Sequence, residues 1–105
     1  MELLDLKRLN ARTAKSMSED VRYRVPQEVS SILKLVFEHN LFSGTMELSN
    51  FRLTPADSIR MVGLSDLLEA EENGISSDRM SAQERIYHSR FESELVEIGF
   101  KSVNE

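Results

Sequence analysis

Residues 29–37 constrain the fold most. Val29, Ile32, Leu33, Val36 and Phe37 recur at three- and four-residue spacings, so a helix gathers all five on one broad apolar face. Such a face must be covered, and the other apolar segments have to be arranged around it. Pro26 offers a start for this helix, because the first helical position has no use for the N–H that proline lacks. His39 suits the negative carbonyl end, and Asn40 or Gly44 can take the left-handed stop. The expected helix runs from Pro26 to about His39 or Leu41.

A second stripe, Tyr87, Phe91, Leu95 and Ile98, follows Ser81-Ala82-Gln83-Glu84, which reads as a capping box opening the last helix. Gly99-Phe100 reads as a glycine stop whose next residue packs back on that helix. Near the start, Leu3, Leu6, Asn10, Thr13 and Met17 alternate spacings of three and four, which predicts a helix over 3–17 with a coiled-coil-like seam. A polar residue inside a seam fixes partner and register, so Asn10 makes this stripe a candidate homodimer contact.

Thr54-Pro55-Ala56-Asp57 has the order of a helix start: cap, proline, then an acid. Two short helices are expected, 55–62 and 65–73, with a corner at Gly63-Leu64. In 45–53, the pairs Met46/Leu48 and Phe51/Leu53 alternate out of phase, which predicts a small hairpin or an extended segment. The fold class expected is mainly α: one domain over 1–105, a compact bundle of about five short helices with at most a small β-hairpin near 45–53. Within it, 1–24 is a basic N-terminal helix and connection, 25–100 the core, and 101–105 a frayed tail.

Charge divides the chain. The net is −5, yet residues 1–24 carry six bases against four acids, which leaves −7 for residues 25–105. Lys7, Arg8, Arg12 and Lys15 form the candidate basic surface. Glu69, Glu71 and Glu72 stand at the carbonyl end of the expected 65–73 helix, where each costs about 0.3–1 kcal/mol if exposed and unpaired. These two groups are the candidate interaction surface, either against each other or against a partner. The expected 65–73 helix holds four acids and no base, so it is no recognition helix for DNA. Nucleic acid is disfavoured, and residues 7–24 are the alternative should one bind.

Catalytic patterns are weak. The four glycines stand apart, so there is no phosphate-cradling loop. Glu84, His88 and Glu92 share one helix stripe and are the only arrangement suggesting a metal protein or enzyme. The plainer reading is a polar flank whose Glu–His pairs contribute a few tenths of a kcal/mol. A bundle metal site also needs matching ligands on other helices, so no cofactor or metal is expected.

With no cysteine, disulfides and thiolate metal sites are excluded and a cytoplasmic home is the simpler reading. Glu2 and Asp5 interrupt the opening apolar stretch, so it is not read as a secretory leader, and no run approaches a membrane span. The expected function is that of a small soluble, non-enzymatic protein acting by protein–protein binding, of the adaptor, inhibitor, chaperone or anti-regulator type.

Overall fold

The computed structural model describes residues 6–102. Two long helices, α2 (Glu19–Glu38) and α3 (Ser77–Ile98), carry most of the core between them. Helix α2 buries Val25, Val29, Leu33 and Phe37, one residue per turn, while Ile32 and Val36 flank that line half-buried. Facing them, α3 buries Met80, Tyr87, Phe91 and Leu95.

Both helices begin earlier than the sequence motifs suggest. Ser18, not the residue before Pro26, caps α2: its hydroxyl accepts the Val21 N–H at 3.4 Å, and Glu19 and Asp20 sit in the favourable first turn. Pro26 therefore lies inside the helix, where it normally costs about 3 kcal/mol because the carbonyl four residues back loses its donor. Here that carbonyl, Arg22 O, accepts the Lys101 N–H at 3.2 Å. A donor from the far end of the chain fills the gap, and the tail is docked at Lys101 where fraying was expected. For α3, Ser76 is the cap, accepting the Arg79 N–H at 3.1 Å, so the apparent capping box at Ser81 lies inside the helix. The stop is as the sequence implies: Gly99 adopts φ 117°, the Phe100 N–H bonds Leu95 O at 2.9 Å, and Phe100 is buried.

The expected five-helix bundle is not what forms. Among the described residues there are three helices and five short strands, an α+β fold. The helix expected over 3–17 is replaced, within those residues, by a strand β1 (Lys7–Arg8) and a six-residue helix α1 (Ala11–Ser16). Asn10 is the cap between them; its side chain accepts the Thr13 N–H at 2.9 Å. A helix start was hidden inside an apparent helix repeat.

The helix expected over 55–62 is a hairpin instead. Strands β3 (Phe51–Leu53) and β4 (Ile59–Met61) pair antiparallel across Thr54–Ser58. Proline suits the second position of a type I turn as well as it suits a helix start. The decision falls at Asp57, whose φ of 59° ends any helix and brings the chain back. Thr54 closes the loop, donating its N–H to Ser58 O at 2.9 Å and accepting the Ser58 N–H on its hydroxyl at 3.2 Å. β1 adds to β3, giving the order β1-β3-β4. The chain does turn at Gly63 (φ 72°), but out of a strand rather than between helices.

Nor is 65–73 helical. Strand β5 (Leu68–Glu69) pairs with β2 (Leu41–Phe42), and residues 70–74 form a turn. Asn40, with φ 56°, makes the left-handed exit from α2 into β2. The loop after β2 is pinned by Tyr87, whose hydroxyl donates to Ser43 O at 2.7 Å and accepts the Met46 N–H at 3.2 Å. Phe37, Tyr87, Phe91 and Phe51 run as one aromatic chain, with centroids 6.3, 5.5 and 5.5 Å apart, tying helices to sheet.

Candidate interaction site

Strand alternation decides which side chains leave the core on the three-stranded sheet. Phe51 and Leu53 are fully buried and Ile59 nearly so, so the residues between them, Arg52 and Arg60, take the outer face. The register sets Arg8 opposite Arg52 and Arg52 opposite Arg60. Three arginines thus form one row across three strands, about 10 Å wide at the usual strand spacing. Like charges placed directly opposite are destabilising. A carboxylate nearby would relieve this, yet among the described residues no ion pair reaches any of the three. Among the described residues the only side-chain bond from the row is Arg52 Nε to Ser49 O at 3.1 Å.

The sheet is held rigidly behind the row. Arg24 of α2 donates to Asp57 O at the hairpin tip at 2.8 Å and pairs with Glu28 at 3.0 Å. Glu28 in turn accepts the Ile59 N–H at 3.2 Å. On the other edge, the Thr13 hydroxyl, 8% exposed, lies 2.6 Å from Arg8 O and 2.8 Å from the Asn10 carboxamide oxygen. Glu28 is thus engaged by the scaffold, and on the row Arg8 and Arg60 are exposed while Arg52 is half-buried.

Of the expected basic surface, Arg8 stands in this row. Lys7 is exposed on β1 beside it, and Arg12 and Lys15 are exposed on α1. Arg52 and Arg60 were not singled out in the sequence, although reading Thr54-Pro55-Ala56-Asp57 as a turn sets them opposite one another.

The acidic group is not a helix end, so its conflict with a helix dipole disappears. Glu69 lies in β5, and its carboxylate accepts the Glu72 N–H at 2.7 Å, acting as a cap for the turn. Glu71 and Glu72 are exposed on that turn. No ion pair joins this group to Lys7, Arg8, Arg12 or Lys15 among the described residues. Asp66 accepts the hydroxyls of Thr45 and Ser43. These bonds, Thr45's above all, outweigh partial burial and hold its carboxyl below the usual value of 3.8.

The seam residues do not share one helix face. Leu3 lies outside the described residues, Leu6 precedes β1, Asn10 is the cap, Thr13 is buried and Met17 packs against the core. His88 contacts Glu84 (3.4 Å) and Ser30 on α2 (3.2 Å), whereas Glu92 accepts the Ser102 hydroxyl at 2.5 Å. Among the described residues no group of three or more His, Asp or Glu converges on a metal position. The chain Ser30–His88–Glu84 lies beside a cleft of about 180 Å³ between α2 and α3. Ser30 sits in mid-helix, where the neighbouring backbone N–H groups are spent on helix bonds and are not free as oxyanion donors.

Comparisons with protein-family models, with curated proteins and with solved structures each return no match. No helix among the described residues is long and apolar enough to cross a membrane.

Proposed function

We propose that the protein works by binding another protein, and that it holds an acidic segment of that partner on the Arg8–Arg52–Arg60 row. One observation carries this reading: three arginines stand opposite one another across the sheet, and among the described residues no ion pair relieves them. Arginine's planar fork is suited to bidentate contact with carboxylates, and three forks in a row match successive acids on one face of a peptide. The scaffold behind them is rigid, so little ordering cost is left to the binding step.

A nucleic acid is the weaker reading. It presents a charge every few ångströms and extends well beyond a 10 Å patch, onto a chain whose net charge is −5. A short acidic peptide stays within the patch.

The test is binding of a fluorescent oligoglutamate peptide and, separately, of a single-stranded oligonucleotide. We expect the peptide to bind at low ionic strength, and to be lost when Arg8, Arg52 and Arg60 are all changed to glutamate. Peptide binding that survives the triple change would discard the row as the site. Tighter retention of the oligonucleotide than of the peptide would move the function to nucleic acid.

A further inference from the structure

From the outward face of α3 we infer that the protein pairs with a second copy of itself, α3 against α3 and antiparallel. This rests on a different surface from the arginine row and does not depend on it.

Each residue of a helix advances about 100° around its axis. On α3 that places Ala82, Ile86, Ser89, Ser93 and Val96 on the side directly away from Tyr87, Phe91 and Leu95. A surface helix ordinarily carries charge there. Instead, Ile86 is 54% exposed and Val96 45% exposed, with two serines between them. From Ala82 to Val96 the charged residues flank this strip, Arg85 and Glu92 on one side, with Glu97 just beyond on the other; Asp78 lies on the strip one turn before it.

The order of these residues is what identifies the occupant. Lay a second α3 antiparallel so that the two Ser89 residues meet on the twofold axis. To within about one residue, Ala82 then falls opposite Val96 and Ile86 opposite Ser93, each larger side chain against a smaller one. In the same register Arg85 falls within one residue of Glu92, and the twofold makes that pair twice. A face built for an unrelated protein has no reason to match its own reversed copy in both size and charge. Arg90, which would otherwise meet its copy near the axis, is drawn back onto its own subunit: it donates to Met46 O and lies over the Tyr87 and Phe91 rings.

The chain has no cysteine, which makes a single introduced one a clean reporter. Ser89→Cys puts two thiols at the twofold, within reach of a disulfide if the helices cross there. Ser31→Cys, at an exposed position on α2, is the control. The prediction has two parts: unmodified protein sediments as a dimer at high micromolar concentration, and Ser89→Cys gives covalent dimer far faster than Ser31→Cys. Ile86→Asp, an exposed change that leaves the core untouched, should abolish both while the circular dichroism spectrum stays native. A monomer at that concentration overturns the inference. So does a dimer that Ile86→Asp leaves intact, or one in which both cysteines cross-link equally.

Discussion

If Arg52 and Arg60 face one another across β3 and β4, their repulsion is measurable. Two guanidinium charges about 6 Å apart in a water-like dielectric repel by about 0.7 kcal/mol before screening. With Debye lengths of about 30, 8 and 3 Å, that becomes about 0.6 kcal/mol at 0.01 M salt, about 0.3 at 0.15 M and about 0.1 at 1 M. The low-salt figure lies within the range of about 0.2–1 kcal/mol found for cross-strand pairs. Arg52→Gln alone will not isolate it, because that change also loses the bond to Ser49 O, 3.1 Å long and worth about 0.5–1.5 kcal/mol. A double-mutant cycle with Arg52→Gln and Arg60→Gln cancels the Ser49 contribution. Stability is to be read by urea unfolding, since guanidinium chloride would itself screen the charges. The expected coupling is repulsive at low salt and vanishes by 1 M. A coupling of zero or of attractive sign at low salt would show that the two arginines do not share a face, and the row would fall with the register.

Three further outcomes follow from single contacts. Because hydrogen bonds lower the Asp66 pKa from 3.8 in the folded state, its stabilising contribution is full above that value and is lost as pH falls through the folded pKa. Asp66→Asn should lower stability at neutral pH, and acid titration followed by circular dichroism should show the gap from wild type closing below about pH 4. Tyr87→Phe leaves Ser43 O and Met46 N–H without their shared partner, and thermal unfolding should report a loss of about 1–3 kcal/mol. Gly99→Ala forces a side chain into φ 117° and sets its Cβ 3.3 Å from Ala14, so urea unfolding should show a loss of about 1–3 kcal/mol.

The long-range parts of this fold were the hardest to read. The inner lines of α2 and α3 are legible because helical spacing repeats over many turns: Val29, Leu33 and Phe37 on one, Tyr87, Phe91 and Leu95 on the other. Gly99-Phe100 is legible because the stop is local. Pro26 misleads because its missing donor is supplied by Lys101, a partner no local pattern reveals. Thr54-Pro55-Ala56-Asp57 misleads for another reason: cap, proline and acid serve a helix start and a type I turn equally. Arg52 and Arg60 are not legible for the same reason, since arginines eight residues apart become neighbours only when 54–58 turns as a hairpin. Strands of two or three residues carry too little alternation to outvote a motif. Of the row, only Arg8 is marked by the sequence, through the basic charge of residues 1–24 rather than through geometry.

The most direct measurement of the proposed function is an NMR titration of the protein with oligoglutamate peptide at low salt, following the arginine side-chain Nε–H signals. The signals of Arg8, Arg52 and Arg60 should shift together and saturate at one peptide concentration, with neighbouring amides of β1, β3 and β4 following. Shifts confined to Arg12 and Lys15 on α1, or no saturable shift in the three row arginines, would contradict the proposed function.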